Sequence, residues 1–476
     1  VVGCLWLCET APVWLKSVAA RAGVRVVLDR EPGPLPKGGH CLVRWGSLRG
    51  SDRRFERVVN RKPALRIAYD PALAAHRLRL NGLEPMTKRA AAKDPAIRLY
   101  RVDVFDLEPL TIRRLRQGRG LWQLEPVRRA SPRELERAAS AAVRALHALG
   151  LDAGRADVAL LPPANGLLRE GVCAVNPAPD WSGALGYRLL PALRRLRYPE
   201  RPPEAHWVFG ADPELMLIDP VTGHYAPASQ FLPRRGAVGC DAQTAGGNPP
   251  VRPLAELRPE PTADALALVP ELRRCLRLLE ERLASTPLIW RAGSQPVEGF
   301  GVGGHIHFSG GSLTGPLLRA LDTYLAVPVM LIENPAAAAA RRRRHGYLGD
   351  VRFKGHGGFE YRTLPSWLVS PKVARAVLAL AAWVINDHPF LPTDLFLATE
   401  LMEAFYRAEK EPFYAAWERL RSDLLASPSS GRWVPAVEPL FELIECRQTW
   451  DEGADLRRTW WVGVQPQRRL RAVAVR

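Results

Sequence analysis

Apolar and polar residues follow two periods along this chain. Val24–Leu28 and Asp157–Leu161 are short apolar runs of strand length. Ser131–Leu149 instead repeats its apolar positions at helical spacing. Ser131 and Glu134 open it as a capping box, and Gly150 closes it. His206–Ile218 reads as a strand interrupted at Asp212-Pro213, because proline cannot donate to a ladder. A helix is predicted over about 262–283, short strands around Gly303–Phe308 and Phe359–Leu364, and helices over about 371–386 and 394–425. Beyond Trp433 the pattern assigns nothing. The run Ala336–Ala340 followed by Arg341–Arg344 is the one low-complexity piece, and no fixed repeat occurs. A polar, Pro-rich stretch at 197–204 reads as a linker, which divides the chain into residues 1–197 and 205–476.

Composition narrows the class. At roughly 100–200 residues per domain, 476 residues make two or three domains. With 47% hydrophobic and 24% charged residues, a mainly disordered or fibrous chain is excluded. The formal charge is +18, almost all of the basic residues being Arg. Such a balance raises a nucleic-acid or membrane-surface reading. No nucleic-acid-binding motif accompanies it, so neither partner is expected. Seven scattered cysteines with no CxxC pair point to a reducing compartment. The apolar N-terminus lacks a basic leader and reads as a first strand, although a short leader ahead of it is left open. The longest later apolar run, Ala376–Ile385, is far below the roughly 20 residues that span a bilayer. A cytoplasmic protein is expected.

The second half repeats one design. Asp212-Pro-Glu214, Glu256-Leu-Arg258, His305-Ile-His307 and Glu360-Tyr-Arg362 each place two polar groups at i and i+2. Such residues share a strand face. One pair alone is usually a solvated face, and Gly303-Gly304 alone would mark a bulge. Four pairs in one sheet would gather Asp212, Glu214, Glu256, His305, His307 and Glu360, with Arg258 and Arg362 among them. Clustered carboxylates repel unless a cation neutralises them, and oxygen ligands with one or two imidazoles suit Mg²⁺ or Mn²⁺. Mg²⁺ commonly bridges protein carboxylates to nucleotide phosphates, and arginines nearby offset charge during phosphoryl transfer.

These segments resemble a known family. Phe209–Leu217, Val238-Gly-Cys-Asp241, Ala255–Pro259, Gly303–Phe308 and Gly358–Trp367 are similar, in order, to the motifs of glutamine synthetase-like carboxylate–amine ligases, in their phage-type amidoligase (COOH–NH2 ligase) branch. The resemblance covers about residues 206–390 and implies an α+β fold, with a glutamine synthetase-like antiparallel sheet and helices in the second half. It implies metal ligands at Asp212, Glu214, Glu256, His305 and Glu360. His307 falls on the position that approaches the ATP phosphates. Arg362 falls on a phosphate- or substrate-facing position, and Arg344 and Arg352 on arginines that touch phosphate. Arg258, on the same face, is assigned to the nucleotide. The family has Tyr-Gly where this chain has His345-Gly346, which leaves open which of Arg341–Arg344 serves.

The implied reaction uses ATP and Mg²⁺ or Mn²⁺. A carboxylate takes the γ-phosphoryl group, an amine displaces phosphate, and an amide results. Arg352 and Arg362 are the implied catalytic arginines, and the general base is unassigned. Substrates would be small-molecule or peptide carboxylates and amines, and oligomeric state is open. Residues 1–195 resemble an α/β ATP-grasp domain through 60–70, 101–106, 149–157 and 175–183. No Gly-rich phosphate loop lies near 85–99, and Ala174-Val-Asn176 stands where an E-x-N metal pair belongs, leaving Asp157 and Asn176. This domain reads as degenerate, as a second working ligase, or as an unrelated α/β unit. Two other functions compete: a non-catalytic module holding a peptide or acidic polymer, and a basic nucleic-acid protein. The complete second-half set favours the ligase.

Overall fold

The computed structural model describes residues 60–118, 121–127, 130–164, 167–181, 188–189, 206–246, 250–355 and 357–460, with residues 17–18 and four short N-terminal strands. The linker at 197–204 and everything after 460 lie outside the described residues. The fold is α+β, with three sheets among the described residues.

The first sheet is parallel, in the order β2-β1-β3-β4, from β1 (Cys4–Leu7), β2 (Arg25–Leu28), β3 (Leu42–Trp45) and β4 (Glu56–Val59). Two helices follow, α1 (Lys62–Tyr69) and α2 (Pro71–Leu80). Each has proline in its first turn, where a missing N–H costs nothing. The second sheet runs β5-β10-β9-β6-β7-β8. It comprises β5 (Leu83–Pro85), β6 (Arg98–Phe105), β7 (Glu108–Gln117), β8 (Trp122–Glu125), β9 (Ala153–Ala164) and β10 (Leu167–Asn176), with the short α3 (Lys88–Ala91) after β5. Helix α4 (Pro132–Ala148) packs on this sheet. Its Ser131 hydroxyl accepts from the Glu134 N–H as the capping pattern predicts, and its alanine-rich face is buried. Strand β9 is much longer than the predicted 157–161, because both of its neighbours continue the ladder.

The third sheet carries the second half. Its strands are β11 (Val208–Ile218), β12 (Val238–Cys240), β13 (Leu254–Leu257), β14 (Ile289–Arg291), β15 (Gly304–Ser309), β16 (Val351–Phe353) and β17 (Phe359–Tyr361). Every pairing is antiparallel, in the order β12-β13-β11-β15-β17-β16, with β14 also on β11. Strand β11 is continuous through Asp212-Pro213, contrary to the predicted interruption. Glu214 N–H donates to Gly303 O on the β15 side, so the donor that Pro213 lacks belongs to the opposite edge, where β13 pairs only from Glu214 on.

The helices in the second half run α5 (Leu268–Arg282), α6 (Gly315–Leu321), α7 (Val327–Ile332), α8 (Pro335–Arg342), α9 (Pro371–Asp387), α10 (Thr399–Arg407), α11 (Glu411–Leu425), α12 (Ser430–Glu445) and α13 (Arg457–Trp460). Helix α5 starts later than predicted, because Thr262 bridges Phe209 and Asp264 caps a tight turn. The predicted 394–425 helix breaks at Ala408, whose φ is 53°, and restarts just ahead of Pro412. The tail left unassigned carries two helices, α12 and the short α13, joined by an irregular stretch. The helical run Gly315–Ile332 is long and apolar enough to cross a membrane, yet 89% of it is buried inside the fold.

One apolar core joins both halves, from Ala64 and Leu146 through Leu317 and Tyr361 to Trp383 and Phe441. Buried polar ties reinforce it. Arg77 donates to Ala148 O (2.7 Å), Phe396 O (2.6 Å) and Thr399 Oγ1 (2.9 Å). His147 Nε2 lies 2.6 Å from Asp322 Oδ2. Asp322 sits in a π-helical turn, Asp322–Ala326, and its other oxygen accepts from Tyr361 (2.7 Å) and the Gly349 N–H (3.2 Å).

Candidate functional site

Strand register puts the predicted pairs on one face of the third sheet. Glu214 opposes Glu256, Asp212 opposes His305, His307 opposes Glu360, and Arg352 opposes Glu360 from the other side. Opposed residues share a face. Arg258 and Arg362, two residues past Glu256 and Glu360, extend it. The intervening Pro213, Leu257, Ile306 and Tyr361 are buried, so alternation holds the polar set toward one side.

Two glycines make this possible. A Cβ on Gly304 would lie 2.2 Å from Pro365 O, and one on Gly303 would lie 2.4 Å from His305 Nε2. They mark close approach and not a bulge: Trp367 Nε1 donates to Gly304 O at 2.9 Å, and Gly303 N–H donates to Glu214 Oε2 at 2.7 Å.

The tightest cluster is Asp212, His307 and Glu360, whose donor atoms all lie within 4.8 Å of one another. His305 Nδ1 is 3.1 Å from Asp212 Oδ1 and 3.5 Å from Glu360 Oε1. His307 Nε2 is 3.0 Å from Asp212 Oδ2 but makes no hydrogen bond. Glu360 is fully buried and meets three cations: Arg352 at 3.3 Å, Lys354 and Arg362. Burial opposes ionisation of Glu360, but Arg362 and His305 outweigh it and hold the carboxyl well below its usual range. Burial opposes ionisation of Asp212 too, and His305 and His307 outweigh it in the same way. Glu214 goes the other way: burial, then the neighbouring Asp241, push it well above the usual carboxylate range. Glu256 is paired with Arg258.

Part of this face borders a large cleft of about 1840 Å³ between the two halves. Glu214, Glu256, Arg258, His305, Arg344, Arg352 and Arg362 line it. Asp212, His307 and Glu360 are not among its lining residues and lie further along the same face.

The Arg341–Arg344 run separates by burial. Arg341 donates to Thr363 O (3.0 Å) and Leu364 O (2.8 Å), and Arg342 pairs with Glu333 over the Phe405 ring. Both are structural; Arg343 and Arg344 are exposed and line the cleft. Gly346 keeps its place because its φ is +71° and a Cβ would meet Arg341 Nη1 at 2.0 Å. His345 beside it is held down at a pKa of about 4 by burial, Arg341 and Arg362.

Sequence reasoning gave no role to Lys354 or Asp241. Lys354 continues the Arg352 face of β16 by two residues, a legible signal. Asp241 ends the Val238–Asp241 motif, but its approach to Glu214 depends on β12 folding back along β13.

In the first half, Asp157 is buried and bound by Arg101 through two hydrogen bonds, at 2.7 and 2.9 Å, and by Lys88. Ala174, at the missing carboxylate position, lies directly opposite Asp157. Asn176 accepts from the Ala178 N–H and is exposed. Protein cations therefore already neutralise the one carboxylate left there.

Residues 209–462 match the family described as phage phiEco32-like COOH·NH2 ligase type 2. No curated protein matches the chain. Among solved structures, the chain is similar to the ATP-grasp ligase PsnB complexed with a minimal precursor, at 15% identity and a TM-score of 0.27, over 41% of this chain and 100% of that one. It is similar to a bifunctional glutathione synthetase from Pasteurella multocida, at 13% identity and 0.34, over 53% and 48%. It is also similar to apo GmaS, at 15% identity and 0.29, over 64% and 85%.

Proposed function

The chain belongs to the phage phiEco32-like COOH·NH2 ligase type 2 family, and from that premise we propose that it is an ATP-dependent carboxylate–amine ligase that forms an amide through an acyl phosphate. The observation that carries the reading is the convergence of Asp212, His307 and Glu360 within 4.8 Å. Two carboxylates and an imidazole are a donor set for Mg²⁺ or Mn²⁺, and His307 Nε2, 3.0 Å from Asp212 Oδ2, would turn from that carboxylate to a cation or a phosphate. Asp212 and Glu360 would hold one ion together with His305, which lies 3.1 and 3.5 Å from them, and His307 would reach that ion or the phosphates; Glu214 and Glu256 would hold another. A bound ion would supply positive charge that offsets both the carboxylates and the transferring phosphoryl group.

The chain's own residues carry the rest. Arg352, Arg362 and Lys354, gathered around Glu360, stand where cations can turn from that carboxylate to a γ-phosphate. Arg344 and Arg258 would meet phosphates from the cleft side. A substrate carboxylate oxygen attacks the γ-phosphorus and ADP leaves. The amine then attacks the acyl carbon and phosphate leaves. No protein nucleophile is needed, so positioning is the fold's main contribution. Small-molecule or peptide acids and amines are the substrate class, and a cytoplasmic setting fits a reaction that consumes ATP.

We assign residues 1–197 to a domain that no longer works as a ligase, because Lys88 and Arg101 occupy Asp157, and residues 205–476 to the working one. The test is ADP release from Mg·ATP with pooled acids and amines. Turnover that Glu360→Ala abolishes supports the reading; no ADP from the parent, or equal turnover in the variant, overturns it.

A further inference from the structure

The cleft is larger than a nucleotide needs. Its volume of about 1840 Å³ compares with roughly 300–1,000 Å³ for small-molecule sites. One wall is the third sheet with its loops; the other is built from α4, β5, β9 and β10 of the first half. The far wall is fixed in place by the His147–Asp322 contact at 2.6 Å and by Arg144, which stands between Glu170 (3.2 Å) and Asp350 (3.7 Å).

Several cleft arginines are neutralised. Arg98 pairs with Glu134, Arg137 with Glu170, Arg169 with Glu84 and Arg258 with Glu256. Five others, Arg79, Arg133, Arg234, Arg252 and Arg343, line the same space and have no ion-pair partner among the described residues. The Nε of Arg252 is buried and makes no hydrogen bond. A lone exposed Arg is ordinary surface. Five from both halves, converging on one concavity and not needed by the nucleotide, form a site for a polyanion.

The lining indicates which polyanion. Apart from two imidazoles, Tyr347 is the only aromatic ring lining the cleft among the described residues, and Arg144 covers its face at 5.1 Å. Single-stranded nucleic acid needs stacking platforms, which this cleft lacks. Glu84, Glu134, Glu136 and Glu170 are interleaved with the arginines on the first-half wall. Their carboxylate oxygens can accept peptide N–H groups, donors that a phosphodiester backbone lacks. We propose that the cleft binds an acidic, glutamate-rich peptide, with Arg79 and Arg133 gripping its carboxylates from one wall and Arg234, Arg252 and Arg343 from the other. The site's purpose, delivery of an acid or amine to the phosphoryl face, rests on the ligase reading; the binding itself does not.

The test is fluorescence anisotropy of labelled hexaglutamate with the full chain, without nucleotide or Mg²⁺, beside hexalysine and a hexauridylate. Hexaglutamate should bind and hexalysine should not. R79E/R133E and R234E/R343E should each weaken hexaglutamate by about tenfold or more, with an unchanged melting temperature and unchanged Mg·ATP binding. Equal binding by both double variants, or tighter binding of hexauridylate, overturns the proposal. Retained hexaglutamate binding in a chain that never binds Mg·ATP would leave the peptide site standing and remove only the ligase reading.

Discussion

His305 and Asp212 face each other across adjacent antiparallel strands, with Nδ1 3.1 Å from Oδ1, and both are largely buried. Together with His307, the imidazole keeps Asp212 ionised where burial alone would protonate it. The polar face is therefore not a solvated surface. Glu214, Glu256, His305 and Glu360 are each less than a tenth exposed. Glu256 pairs with Arg258, His305 with Asp212, and Glu360 with Arg352, Lys354 and Arg362, so removing any of these three side chains strands another charge.

Glu360→Gln shows the size of this effect. The variant removes the one carboxylate shared by Arg352, Lys354 and Arg362. Breaking a fully buried pair costs about 3–5 kcal/mol, but these cations can regain water, so we expect about 1–2 kcal/mol in urea unfolding. Mg²⁺-dependent ADP release should vanish. Unchanged stability would mean that the three cations are not held by Glu360.

Gly303→Ala and Gly304→Ala should separate function from folding. The first drives a methyl into the His305 ring, which can shift, so turnover falls while the melting temperature moves little. The second meets the Pro365 backbone, which cannot shift, and should cost about 1–3 kcal/mol. Similar melting temperatures for the two would contradict the packing described.

His147→Ala removes the contact from the first half to Asp322, whose other oxygen holds Tyr361 beside Glu360. Leaving Asp322 short of a partner should cost about 1–3 kcal/mol. Because β17 is loosened, turnover should fall more than nucleotide affinity. A variant with lower stability but normal turnover would show that the tie is structural alone.

Asp157→Asn addresses the first half. If Lys88 and Arg101 own this carboxylate, Mg·ATP binding is unchanged and stability falls. Lost nucleotide binding would restore a working metal site there.

His345 sets a pH dependence. Its folded pKa, about 4, lies below the ordinary 6.5. The unfolded chain therefore binds the extra proton first, and stability that is full above pH 6.5 is lost as pH falls toward 4. His345→Gln should flatten that part of the curve relative to the parent. Parallel curves would place His345 in contact with water.

Much of this was readable in one dimension. The i, i+2 pairs were visible because a strand face has period two, and the α4 cap because Ser131 and Glu134 stand three apart. What escaped depended on distant chain segments. The continuity of β11 through Pro213 turns on which edge its neighbour occupies. The structural roles of Arg341 and Arg342 depend on carbonyls and a carboxylate brought in by other segments. The neutralisation of Asp157 needs Lys88 from another element. No local pattern encodes the cleft between the halves, since His147 and Asp322 meet only in the folded chain.

Calorimetric titration of ATP into the full chain, with Mg²⁺ and again with EDTA, bears on all of this at once. Saturable heat that requires Mg²⁺ and disappears in Asp212→Asn and Glu360→Gln is the predicted result. Heat that is identical in EDTA, or that survives both substitutions, would contradict it.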